Sequence, residues 1–89
     1  MASYKLLIKR SAAKELEQLP PKVRRRVASK IEGLANAPRP SGVEKVSGQE
    51  KYRVRQGDYR VLYAIDDNAH TVTVVKIGHR RDVYRQAKP

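Results

Sequence analysis

With 89 residues and no Cys, Trp or Phe, the chain is expected to form one domain, 1–89, held by packing alone, with no disulfide, no thiolate nucleophile and no Cys metal site. At 39% hydrophobic and 33% charged residues it is expected to fold rather than stay disordered. Twenty Lys and Arg against 9 Asp and Glu leave a formal charge of +11, which predicts polyanion binding before any other activity. Nucleic acid, an acidic protein and an anionic membrane surface are all compatible with that charge.

No apolar run approaches the length of a membrane span. Met1 to Lys5 has no apolar signal region, so a cytoplasmic location is expected.

Residues 4–9 read as a strand, with Tyr4, Leu6 and Ile8 on one face. Ser11 reads as the N-cap of a short helix over 11–18, with Leu16 and Leu19 turned inward. Pro20-Pro21 breaks the chain and suits the first turn of a second helix, 21–36. There Val23, Val27, Ile31 and Leu34 form one apolar stripe, and Lys22, Arg24, Arg25, Arg26 and Lys30 cover the rest. Pro38 and Pro40 prevent continuation.

Everything beyond reads as strand and turn. Val43–Val46 is a short strand, followed by a Ser47-Gly48 turn. Lys51 to Gln56 alternates, with Tyr52 and Val54 on one face and Lys51, Arg53 and Arg55 on the other. Gln56-Gly57-Asp58 is a hairpin turn in which Gly57 can take positive φ. Tyr59 to Ile65 reads as a central strand, Asp66 to His70 as a turn, and Thr71 to Ile77 as the last strand, ended by Gly78. A basic tail follows, His79 to Arg85. The order β-α-α-β-β-β-β predicts an α+β fold: an antiparallel sheet with the helical hairpin packed on one face.

The other face is then free. Arg53, Arg55 and Arg60 lie on adjacent strands, and His79, Arg80, Arg81 and Tyr84 leave the last one. If the registers allow, these residues converge on one patch. Such a patch suits cleavage of RNA, which carries its own nucleophile, the 2′-OH. Arginines hold phosphate oxygens bidentately and stabilise a crowded phosphorane. Their pKa lies above about 12, so they cannot be the base. Proton transfer would then fall to His79 and Tyr84, whose pKa values neighbouring arginines should lower. Counted residue by residue, the same arginines also fit ordinary solvated charges on an exposed face. Arg24, Arg25 and Arg26 offer phosphate contacts from the helix, or simply a solvated helix face. Asp66-Asp67-Asn68 fits no EF-hand spacing and reads as a turn.

The blocks Lys51-Tyr-Arg-Val-Arg-Gln-Gly-Asp-Tyr-Arg-Val-Leu-Tyr63 and Val75-Lys-Ile-Gly-His-Arg-Arg-Asp-Val-Tyr84 resemble the RelE branch of the RelE/ParE toxin superfamily of toxin–antitoxin systems. The likeness runs through nearly the whole chain. It implies a microbial-RNase-like sheet and a metal-independent, ribosome-dependent mRNA endonuclease that needs no cofactor. Such a toxin cuts mRNA in the A site through the 2′-OH and so inhibits translation. It implies catalytic roles for Arg53, Arg55, Arg60, Arg80 and Tyr84, with His79 the better base because some relatives carry Lys where this chain has Arg53 and Arg55. Lys51, Arg81, Arg24 and Arg25 would support RNA binding. The implied partners are the ribosome, mRNA and a cognate acidic antitoxin, with DNA reached only through the antitoxin. A gyrase inhibitor of the ParE type on the same fold, and a non-catalytic basic RNA-binding module, remain as alternatives.

Overall fold

The computed structural model describes residues 3–46 and 51–81. Its elements are β1 (Lys5–Ile8), α1 (Arg10–Glu17), α2 (Pro21–Gly33), β2 (Glu44–Val46), β3 (Lys51–Gln56), β4 (Tyr59–Asp66) and β5 (Thr71–His79). The expected α+β arrangement is present. One five-stranded sheet runs in the order β1-β5-β4-β3-β2. Strands β2 to β5 pair antiparallel with their neighbours, whereas β1 joins the edge parallel to β5, Lys5 opposite Thr71 and Ile8 opposite Val74. The sheet is therefore mixed. The helical hairpin lies between β1 and β2 in sequence and crosses the sheet from one edge to the other.

Helix α1 starts earlier than Ser11 implies. Lys9 donates its N–H to Val74 O and accepts the Ala13 N–H, so the backbone turns helical directly from the sheet edge. Lys9 is the N-cap residue without a side-chain cap, and Ser11 sits exposed in the first turn. Helix α2 opens on Pro21 as expected but ends at Gly33, not at residue 36. Leu34, Ala35 and Asn36 instead bond three residues back, the tight ending that satisfies carbonyls at a helix terminus. Arg24 Nη1 donates to Glu17 O at 3.2 Å, so this arginine closes the α1–α2 corner.

The core forms where α2 meets the sheet. Val27, Ile31 and Leu34 pack over Tyr52, Val54, Val61, Tyr63, Val72 and Val74. Tyr63 is fully buried; its hydroxyl donates to Pro38 O at 2.6 Å, and burial pushes its pKa up to about 12, so it stays a donor.

Strand β5 runs through Gly78 to His79, past the expected stop, because Gly78 pairs with Arg60 and His79 with Tyr59. A register shift lies between Leu62 and Tyr63: Leu62 faces Lys76, yet Tyr63 faces Val74, leaving Val75 as an extra residue. Strict alternation after Val72 and Val74 would bury Lys76. The bulge puts Ile77 in the core instead. Lys76 Nζ pairs with Glu15 Oε2 at 2.6 Å. Glu15 Oε1 also accepts the Ile77 N–H at 2.8 Å, beyond the last β1–β5 pair at Val74, so α1 supplies the acceptor there in place of a strand.

At the end of the sheet away from the β3–β4 turn, Arg39 binds Asp67 through Nη2–Oδ2 (2.9 Å) and Nη1–Oδ1 (3.3 Å), and Tyr4 Oη donates to Asp67 Oδ1 at 2.7 Å. Asp66 Oδ1 accepts the Ala69 N–H at 3.0 Å, and His70 closes the turn with φ 54°. Arg39 and then Tyr4 hold the Asp67 carboxyl below the usual carboxylate range. A lowered folded-state pKa stabilises the fold above the unfolded value, near about 4, and that contribution is lost as pH falls through the folded value. Asp67→Asn should therefore flatten the acid limb of a Tm-against-pH curve below about pH 4 relative to the original protein. Parallel curves would show that the Arg39–Asp67–Tyr4 cluster carries no net stability.

Candidate functional site

The β3–β4 hairpin builds the site. Gly57 takes φ 61° at the first of two loop residues, the II′ pattern that lets the strands return with their natural twist. The return sets Arg55 directly opposite Arg60 and Arg53 opposite Leu62. Tyr52 and Val54 point into the core, so Arg53 and Arg55 share the face that carries no helix. Like charges in direct cross-strand register destabilise a sheet, so this hairpin keeps its two arginines facing each other at an energetic cost.

Arg53, Arg55 and Arg60 line a cavity of about 100 Å³ together with Gly42 and Glu44. Arg60 Nη1 is buried and has no hydrogen-bond partner among the described residues. Such a buried, unmatched guanidinium N–H is desolvated without compensation. Glu44 comes from the neighbouring edge strand and sits opposite Arg53. Its Oε1 accepts from Arg53 Nε at 2.9 Å and lies 2.7 Å from Nη2. The sequence reading missed Glu44. Its only signal was a polar residue in a short strand, and neither the position of β2 beside β3 nor their register is visible in the sequence.

The expected convergence holds for the three strand arginines and fails for His79. Because of the bulge, His79 falls on the same face as Tyr59 and Ile77, the face that carries the helices. Its ring meets Tyr59 edge-on at 5.5 Å between centroids. Its Nδ1 accepts the Arg81 N–H at 3.3 Å. His79 is thus removed from the arginine face and anchors the chain as it leaves the sheet. Gly78 takes the place opposite Arg60, and Arg80 follows two residues on, its N–H held by Asp58 O at 2.9 Å. Arg80 and Arg81 are exposed. Tyr84 and the rest of the basic tail lie outside the described residues, as does the Ser47-Gly48 turn.

Lys51 is exposed on the arginine face, at the far end of β3. Arg24 and Arg25 belong to α2, on the opposite side of the sheet. Phosphate contacts from them would lie on that side, away from the arginine cavity, and Arg24 Nη1 also donates to Glu17 O.

At the opposite edge, Leu7 and Ile8 of β1 are large apolar side chains left exposed. Leu6, Ile8, Leu16, Ala28 and Ile31 border an apolar groove of about 220 Å³ beside that strand.

Residues 6–84 match the family model described as the ParE toxin of the type II toxin–antitoxin system parDE. Among curated proteins, the chain is 37% identical over 84 residues to Toxin RelE of Mycobacterium tuberculosis, covering 92% of this chain and 87% of that protein. It is 33% identical over 86 residues to Toxin RelG of the same organism, covering 93% and 98%. Among solved structures, it superposes on RelE in the archaeal RelE–RelB complex from Pyrococcus horikoshii OT3 with a TM-score of 0.79 at 30% identity, covering 88% of this chain and 96% of that one. The isolated E. coli RelE toxin gives 0.77 at 28% identity, covering 96% and 95%.

Proposed function

Because this chain belongs to the RelE/ParE toxin family of type II toxin–antitoxin systems, we propose that it is a ribosome-dependent mRNA endonuclease neutralised by a cognate antitoxin. The observation that carries this reading is the meeting of Arg53, Arg55 and Arg60 around one small cavity with a buried, unpartnered Arg60 Nη1. That arrangement suits a single phosphodiester. In the reaction the 2′-oxygen of RNA forms a bond to phosphorus, the bond to the 5′-oxygen breaks, and a proton moves from the 2′-OH to a base while the 5′-oxygen gains one. The phosphorane in between gathers negative charge on its outer oxygens. Fixed guanidiniums aimed at those oxygens act most strongly at that moment.

Arg80, exposed just after β5, is assigned to the same phosphate by this reading. His79 is turned away from the arginine face, so this reading assigns the proton role to Tyr84, which lies outside the described residues, and makes His79 a positioning residue at the end of β5. The ribosome would supply the ordered, unstacked mRNA that a shallow site on a small protein cannot arrange alone.

The antitoxin reading rests on the charge of +11 and on the solved RelE–RelB complexes of relatives. An acidic, partly disordered chain that folds on binding is expected to cover the basic face and the exposed β1 edge.

The test is cell-free translation of a defined mRNA with the purified protein, read by primer extension beside the same RNA without ribosomes. Cuts confined to translated message are the expected result. Cuts on naked RNA as well would make it an autonomous ribonuclease. The ParE name of the matching family model supports a second reading, inhibition of DNA gyrase. Intact message in both tubes, with a DNA-damage response after induction in cells, would establish that reading instead.

A further inference from the structure

We propose that Glu44 is a built-in counter-anion of the arginine site, which engages Arg53 in the RNA-free protein and yields it to the incoming phosphate. This rests on reading the cavity as a phosphodiester site. Glu44 is the one carboxylate among the described residues lining a cavity otherwise formed by Gly42 and three arginines. It meets Arg53 through two guanidinium nitrogens at once, by Nε and by Nη2. A carboxylate and a phosphodiester each carry one negative charge and present two oxygens to a guanidinium fork, so one can replace the other without changing the charge of the site.

The exposures of the two side chains decide which partner leaves. Glu44 is 64% exposed and Arg53 26%. The carboxylate can swing into water at little cost, while the guanidinium stays beside Arg60. A pair with one partner this exposed is weak, so it holds a side chain without locking it. Arg60 Nη1 has no partner among the described residues while Glu44 is on Arg53, so the pair leaves one guanidinium donor of the site unsatisfied. For a chain of charge +11, such an internal competitor raises the threshold for stray anions while admitting a ligand that engages several arginines together.

The experiment uses the ¹⁵N-labelled full chain and a trinucleotide whose first two residues are 2′-deoxy, so that neither phosphodiester has its nucleophile and it binds without being cut. The Arg53 Nε–Hε resonance reports the Glu44 contact directly. In the original protein this resonance should shift as the trinucleotide is added. In Glu44→Gln it should begin nearer its free position, and the trinucleotide should bind roughly two- to fivefold more tightly. Weaker binding by Glu44→Gln would overturn the proposal, since Glu44 would then help to hold the RNA. Unchanged binding with loss of mRNA cleavage would overturn it in favour of Glu44 as proton acceptor. Arg60→Ala is the control for the site itself: undiminished trinucleotide binding by that variant would mean that the RNA does not use this cavity, whatever Glu44 does.

Discussion

Arg60→Ala should lower ribosome-dependent mRNA cleavage by roughly two to three orders of magnitude and abolish growth inhibition, without loss of fold. The magnitude is that of removing one preorganised donor from a site where charge develops in the transition state. Arg60 is central because it faces Arg55 across the hairpin, sits opposite Gly78 on β5, and carries the buried Nη1 without a partner. Its removal relieves a like-charge pair and empties no position in the hydrophobic core, so the melting temperature should hold or rise. Arg80→Ala, just beyond β5, should show the same loss of cleavage. Primer extension on translated message measures the cleavage, and circular dichroism the fold. Retained cleavage in both variants would remove the arginine site from the mechanism.

Tyr63→Ala should cost about 3–5 kcal/mol of folding stability, the range for deleting a buried aromatic ring. The ring is fully buried and stacks on Tyr52 at 5.9 Å between centroids. Its hydroxyl also ties the Pro38 carbonyl to the sheet, and thus the connector that carries Arg39. Tyr63→Phe keeps the ring and isolates the hydroxyl; it should cost about 1–3 kcal/mol, because the Pro38 carbonyl loses its donor. Urea unfolding measures both, and equal costs for the two variants would mean that the ring itself adds nothing beyond its hydrogen bond.

The local elements were legible because their signals are local. The stripe Val23-Val27-Ile31-Leu34 identified α2 and its buried side, and the alternation of Lys51 to Gln56 put Arg53 and Arg55 on the face away from the core. Gly57 marked the hairpin, and a two-residue hairpin leaves little freedom in how Arg55 meets Arg60. Those three arginines could therefore be grouped from sequence.

Pairings between distant segments were not legible. Nothing in Tyr4 to Lys9 says that β1 runs parallel to β5, since an apolar strand face is the same in either direction. Glu44 became visible only once β2 lay beside β3 and brought it against Arg53. His79 shows the limit most clearly. Counting by twos along Thr71 to His79 places it on the side of Thr73, with the arginines. One extra residue at Val75 reverses that parity, keeps Lys76 out of the core, and carries His79 to the helix side. Local residue patterns set which segments become helices and strands, and that a row of arginines stays off the core. The tertiary structure decided which side chains share that row, because side-chain facing follows from strand pairing and bulges, and those are settled by contacts between residues far apart in the chain.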